Sequence, residues 1–557
     1  MPEQDLRAII PGASALIKAL CDELEMAQVI DAAVRWDPRQ CKLSPGTRIV
    51  ALVVNALVHR EPLYHVEAFY AGQDVALLFG PGVQAGDFND DALARALDAL
   101  AEANPSALFS QIALNAVLRD GIAVRTVHAD TTSRSVYGAY EGYPEKPLHI
   151  THGHSKQHRP DLKQMVFGIL AQAQGLPVAA GVHDGNQSDK VWNGWVLDQY
   201  ERLLAGHHRE SLLYVADCQF VTKENLARAQ AKKVRFISRL PASFALEAKV
   251  KQQAALAWPS KANWQYVGSL AQRAKAETYW VWETQAELYG RTYRLVVVRP
   301  SRPDPRSVRA LERRIDQEAQ QLAKACRRLS RQCFACEADA RSAAERFLSE
   351  QAPLFHTLHV QVVAHTHTHR PRGRPRRDGA GVASETVWHL AAQVQEPTAE
   401  QRQAWTEAQA YFVLITNVPS DALPAAEVLR EYKGQVSVER CFSFLKDPVI
   451  VDGIYLKRPE RAYALGFVFL LALLVAAFLE QRIRRELART QDVLELPGRR
   501  KTATPTVQAI LDLFRSLQIV LVDTGQRIER ILPRNTSPQI LKVLRLAGYS
   551  ERLYLGR

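Results

Sequence analysis

Residues 122–130, IAVRTVHAD, read as a β-strand running into an acid, Asp130. Residues 165–172 (MVFGILAQ) read as a second strand, and 176–184 (LPVAAGVHD) as a third after a turn at Gly175. A helix is expected over 189–205, and LLYVAD (212–217) is a fourth strand that again ends on an acid, Asp217. A short helix from Lys223 leads to a fifth strand, VRFISRL (234–240). Strands in succession, then strand and helix in alternation, predict a mixed α/β sheet. Ligands are commonly held at the strand ends of such sheets, which is where both acids stand.

Residues 1 to about 118 have the helical spacing of Leu and Ala, as in DDALARALDALAEANPSALFSQIALNAVL. After residue 240 the texture changes. Trp258, Trp264, Trp280 and Trp282 crowd together, a long charged helix is expected over roughly 306–350, and AYFVLITN (410–417) is one more strand. Hydrophobic content of 47% and charged content of 23% are those of a globular protein. The formal net charge of +12 favours polyanionic partners. Seven scattered cysteines and an opening without the basic-then-apolar order of a secretory peptide point to a reducing cytosol. The pair Cys333 and Cys336 is half of a zinc site, with no second pair to complete it. Residues 462–479, AYALGFVFLLALLVAAFL, carry no charge; the expected place is a helix buried on all sides, with a membrane span as the rival.

LREYKGQVSVERCFSFLK (429–446) reads as a single helix. At about 100° per residue, Tyr432, Gln435, Glu439 and Lys446 project within roughly 60° of one another, beside an apolar stripe of Val438, Phe442 and Leu445. Glu439 is thus a third acid on a separate element. If the three carboxylates converge they offer the oxygen ligands that hard divalent cations prefer, and two such ions serve phosphodiester chemistry. Taken singly, each acid is more often a turn former, a cap or a solvated group.

Three of these four helix residues match a known pattern: Tyr, two residues, Arg, three residues, Glu, six residues, Lys. With HADTT (128–132), the run 161–189, VADCQFVTKENL (215–226), NALVHREPLYHVEAFY and NDDALARALDAL, the chain resembles the DDE transposases of bacterial insertion sequences. Within them it is similar to the insertion sequence 4 superfamily and its insertion sequence 1634 branch. The resemblance implies a ribonuclease-H-like fold with Asp130, Asp217 and Glu439 as the catalytic, metal-binding triad for two Mg²⁺ or Mn²⁺ ions. It implies a helical N-terminal domain over 1–118 that binds DNA ends, and the first part of the catalytic core over 119–240. A β-rich insertion follows over 241–408, then the second part of the core over 409–490 and a helical region over 491–557. Tyr432, Gln435 and Lys446 would lie along DNA backbone; Gln435 stands where the pattern has Arg, and a neutral amide makes the weaker phosphate contact.

RPRGRPRR (370–377) resembles an AT-hook, an extended arm for narrow minor grooves, with Arg372, Arg374 and Arg376 as its DNA contacts; the plain alternative is a solvated linker. His365, His367 and His369 alternate and would share one strand face, without a metal. The expectation is therefore a cytoplasmic, nucleoid-associated bacterial transposase. It would act on terminal inverted repeats and target DNA as a homodimer in a synaptic complex, away from membranes. The rivals are a nuclease of the same fold without strand transfer and an inactive relic that only binds DNA.

Overall fold

The structure is a computed structural model describing residues 5–142, 147–203, 212–258, 260–261, 263–270, 277–302, 305–369, 383–446, 454 and 456–556. The chain divides into two compact units. The first comprises residues 1–241, 287–294 and 415–557, the second residues 242–286 and 295–414.

The first unit opens with a strand, β1 (Asp5–Ile9), and seven helices: α1 (Ser14–Glu23), α2 (Met26–Ala33), α3 (Pro45–Val58), α4 (Val66–Ala71), α5 (Val75–Phe79), α6 (Asp90–Glu102) and α7 (Pro105–Arg119). Local sequence starts several of them. Ser44, Asn89 and Asn104 each accept a backbone N–H of the first turn, and Pro45 and Pro105 occupy positions that need no donor.

The sheet follows as β2 (Thr126–Ser135), β3 (Gln164–Gln172), β4 (Pro177–His183), helix α8 (Asp189–Leu203), β5 (Leu213–Ala216), helix α9 (Lys223–Ala231) and β6 (Arg235–Arg239). The order is β4-β3-β2-β5-β6. The first three strands are antiparallel, whereas β5 runs parallel to β2, and β6 parallel to β5. Each parallel step needs a crossover, which α8 and α9 supply. Asp130 is not at a strand end, as the sequence suggested: β2 runs on to Ser135 because β3 continues to pair with it.

In the second unit come α10 (Ala245–Ala257), β7 (Trp264–Ser269), β8 (Thr278–Leu288), β9 (Arg291–Pro300), α11 (Pro305–Leu329), β10 (Cys333–Phe334), α12 (Glu337–Gln351), β11 (Thr357–His369), β12 (Ala383–Gln395) and α13 (Ala399–Ala410). The tip of the β8–β9 hairpin is counted with the first unit. Trp258 packs edge-on against Trp264 and Trp280, and the Arg299 guanidinium lies 3.9 Å from the Trp258 ring. The strands β10, β12 and β11 form a sheet whose Leu390 face packs with Phe347, Leu329 and Ala340 of the helices. Cys336 caps α12, its sulfur accepting from Asp339 N at 3.4 Å.

The chain re-enters the first unit within β13 (Phe412–Thr416), where the Thr416 hydroxyl donates to Phe236 O at 2.6 Å. The remaining elements are α14 (Ala425–Lys433), α15 (Val436–Lys446), α16 (Pro459–Thr490), β14 (Leu494–Leu496), β15 (Arg500–Thr502), α17 (Val507–Phe514), β16 (Ile519–Asp523), β17 (Ile528–Ile531), α18 (Pro538–Leu546) and α19 (Arg552–Leu555). Residues 491–557 are thus not purely helical, nor are residues 1–118. β1 pairs antiparallel with β16, Asp5 opposite Asp523, so the two ends of the chain build one small sheet.

The uncharged run expected as a buried helix forms the middle of α16, and 83% of its most apolar window is buried. It packs against α3, α6, α7 and β4. Gly466 lets it come close to the sheet: a Cβ there would stand 2.9 Å from Val182 of β4. Leu470, Leu474, Phe478 and Leu479 are fully buried, each worth about 1.5–3 kcal/mol relative to exposure. At its far end Arg482 bridges Glu23 and Asp120 at 2.7 and 2.6 Å.

Candidate active site

The parallel pairing of β2 with β5 aligns Ala129 with Ala216. The next residues along are Asp130 and Asp217, so the two acids are neighbours on adjacent strands, about 4.8 Å apart in backbone spacing. Asp130 is the one residue of β2 that is not buried. Its carboxylate accepts from Thr131 N at 2.7 Å, and that of Asp217 accepts from Gln219 N at 3.1 Å. Ser238 of β6 donates to the Asp217 carbonyl at 2.6 Å and ties down the strand end.

The helix carrying Glu439 differs from its expected form. Residues 429–446 are two helices, α14 and α15, with a tight turn at Gly434–Gln435 between them. The cause lies in the sheet. His128 of β2 is fully buried, and a Cβ at position 434 would stand 3.1 Å from its ring. Glycine admits the imidazole, and the turn bends the chain around it. Neither ring nitrogen of His128 has a hydrogen-bond partner among the described residues, and burial pushes its pKa down to about 4. The ring therefore packs as a neutral imidazole.

The turn breaks the single stripe into parts. Val438, Phe442 and Leu445 are buried, and α15 packs on β2 and β3. Glu439 and Lys446 line a cleft of about 620 Å³ together with Asp130, Thr131, Lys156 and Ser443. Tyr432 stays on α14, near Asp217 and Arg239, and burial raises its pKa to about 12. Gln435 lies in the turn just before α15, its carbonyl accepting from Val438 N at 3.0 Å, and is not among the residues lining the cleft. Arg372, Arg374 and Arg376 lie outside the described residues.

Two residues beside Asp130 escaped the sequence reading. Asp189, the first residue of α8, accepts a hydrogen bond from the Thr131 hydroxyl. The Lys156 ammonium donates to Thr131 O at 2.8 Å and to Asp189 at 3.3 Å, and lies 3.9 Å from Asp130. The four acids form one electrostatic group. Burial raises the Asp130 pKa to about 6; Lys156 and the Thr131 N–H oppose the rise, and Asp189 and Glu439 add to it. Burial, then Asp130 and Asp189, raise Asp217 to about 7. Such shifts mark a site short of positive charge. An all-oxygen donor set of this kind suits a hard divalent cation. As the side chains stand, though, no three metal-binding residues are gathered round one point among the described residues.

Residues 12–114 match a domain of unknown function (DUF4277), and residues 125–475 match the transposase DDE domain. No curated protein matches the chain. Among solved structures it is similar to a piggyBac transposase synaptic complex with hairpin DNA, determined by cryo-EM. Identity there is 8% and the TM-score 0.38, over 89% of this chain and 79% of that one. The DDE-domain match spans more than half of the chain and takes in the strands, the helix and Asp130, Asp189, Asp217 and Glu439, so the protein belongs to the DDE transposase family.

Proposed function

We propose that this transposase cuts DNA at the ends of its own insertion sequence and joins the freed 3′-hydroxyl to target DNA. Asp130, Asp217 and Glu439 are its catalytic, metal-holding acids. The observation that carries the reading is the register: two acids side by side on parallel strands, coupled electrostatically to each other, with Glu439 and Asp130 lining one cleft. Three antiparallel strands followed by parallel ones, with helices at the crossovers, support a ribonuclease-H-like core.

Two Mg²⁺ or Mn²⁺ ions held by these acids would lower the pKa of an attacking water or hydroxyl and stabilise the leaving oxygen of a phosphodiester. The chain's own groups do the rest. Val438, Phe442 and Leu445 fix the height of Glu439 over the sheet, and Lys446 and Tyr432 flank it to hold DNA backbone. Gln435 and the arm bearing Arg372, Arg374 and Arg376 are further DNA contacts in this reading. Assignment to the insertion sequence 4 superfamily and its insertion sequence 1634 branch, a homodimeric synaptic complex, and a place in the bacterial cytoplasm at the nucleoid belong to the same proposal.

The test is Asp130→Asn, Asp217→Asn and Glu439→Gln, assayed on DNA carrying the terminal inverted repeats. Each variant should lose cleavage and keep binding. Cleavage above about a tenth of wild type would remove that residue from the triad. Cleavage without joined product in the wild type would leave a nuclease instead.

A further inference from the structure

Lys156 lies in the loop HGHSKQHRP (152–160), which joins β2 to β3 and folds back over β2. Its own N–H donates to Ser133 Oγ at 2.8 Å, and Ser135 N donates to the Gln157 side chain at 2.8 Å. Two glycines lace the loop to the turn before α8. A Cβ at Gly153 would stand 2.1 Å from Gly185 O, and one at Gly185 would stand 2.4 Å from Thr151 O. The loop backbone is therefore held on both sides, and the ammonium is delivered to a set place rather than left to wander.

That place is among the acids. The Lys156 side chain is 31% exposed, Asp130 24% and Asp189 22%. Thr131 supplies two oxygens to the ammonium, its carbonyl at 2.8 Å and its hydroxyl at 3.1 Å, while Asp189 supplies a carboxylate at 3.3 Å, closer than the 3.9 Å to Asp130. Lys156 thus has a resting partner, Asp189, and a weaker contact with a triad acid.

We infer that Lys156 is the site's built-in counter-cation: it stands where a divalent ion must come, and metal entry is an exchange in which the ammonium gives up Asp130 and withdraws onto Asp189. The inference rests on the metal-holding role of Asp130. Lys156 is a positioning residue in this scheme, and Asp189 is its tether rather than a fourth ligand. The arrangement keeps cation affinity low, so that the acids fill when DNA phosphate adds its own negative charge to the cleft.

Repulsion sets the expected size. A unit charge about 4 Å from another changes an equilibrium about fivefold even with the screening of water, and a divalent ion doubles that energy, to roughly thirtyfold. The test is Mn²⁺ binding to the DNA-free full chain, read by the electron paramagnetic resonance signal of free Mn²⁺. Wild type, Lys156→Gln, Lys156→Met, Lys156→Arg and Asp130→Asn are compared after circular dichroism shows each folded. Lys156→Gln and Lys156→Met should bind at least tenfold tighter than wild type, Lys156→Arg should match it, and Asp130→Asn should bind far more weakly. Neutral variants that bind no tighter, while Asp130→Asn loses binding, would overturn the counter-cation role and leave the triad standing. Unchanged binding in Asp130→Asn would overturn the metal reading and this inference with it.

Discussion

Changing pH should switch the cleft between proton and cation. With Asp130 at about 6 and Asp217 at about 7, about one in ten of the first and one in a hundred of the second is ionised at pH 5 in the metal-free protein. Metal ligation needs both carboxylates ionised. Mn²⁺ affinity should therefore climb roughly a thousandfold between pH 5 and pH 8, steeply below 6 and flattening above about 7. The same shifts fix the sign of a second effect. Both acids are raised above their unfolded values, so between about pH 4 and 7 the folded chain binds more protons than the unfolded one. Metal-free stability from these groups must then fall as pH rises through that window, by on the order of a few kcal/mol after solvent screening. Asp217→Asn should flatten the fall. The assays are Mn²⁺ titrations at pH 5, 6, 7 and 8, and thermal unfolding without metal over the same range. Affinity independent of pH, or metal-free stability that Asp217→Asn leaves just as steep, would refute the picture of crowded, under-compensated acids.

Arg482→Met removes the buried guanidinium that bridges Glu23 and Asp120 and leaves them only the more exposed Arg119 and Arg485, so it should cost up to about 3–5 kcal/mol in denaturant unfolding. Burial alone would raise Glu23, but hydrogen bonds from Arg482, Tyr549 and Arg119 bring it down to about 2. Its stabilisation should accordingly be complete above about pH 4.5 and be lost as pH falls toward 2, a loss that Glu23→Gln removes from the acid titration. Gly434→Ala gains about 0.4–1 kcal/mol by restricting the unfolded chain, since Gly434 has a right-handed backbone that alanine can adopt, but presses on the buried His128 ring; unfolding stability should change little while cleavage drops at least tenfold. Deleting 370–377 should lower the salt slope of DNA binding by about 0.9 for each phosphate the arm no longer neutralises, and an unchanged slope would make the arm a linker.

The strands were legible because each is a short apolar run closed by a turn or an acid. Residues 165–172 and 212–217 read as strands and lie within a residue or so of β3 and β5. α16 was legible for the opposite reason: eighteen uncharged residues leave few places except a core. The helix break at Gly434 was not. A glycine costs a helix only about 1 kcal/mol, and what decides its geometry is His128, far away in sequence and adjacent only once β2 is in place. The pairing of β1 with β16 failed to show for the same reason, since DLRAI and IVLVD are separated by nearly the whole chain.

Asp189 and Lys156 carry the point further. An acid opening a helix has a sufficient local explanation in the helix dipole, and a lysine among histidines and an arginine in a loop has one in solvation. Neither residue type is unusual where it stands, so no local signal distinguishes them. What makes them functional candidates is the antiparallel return of β3 beside β2, which folds the loop over the strand bearing Asp130 and brings α8 to the same edge. Acids that a family pattern names can be found one at a time. The cation that restrains them has a role only in relation to charges brought there by other strands. The exchange proposed for Lys156 is thus a property of the sheet's register. A shift by one residue in the pairing of β2 and β3 would turn Asp130 to the other face and leave the ammonium without a triad acid to neutralise.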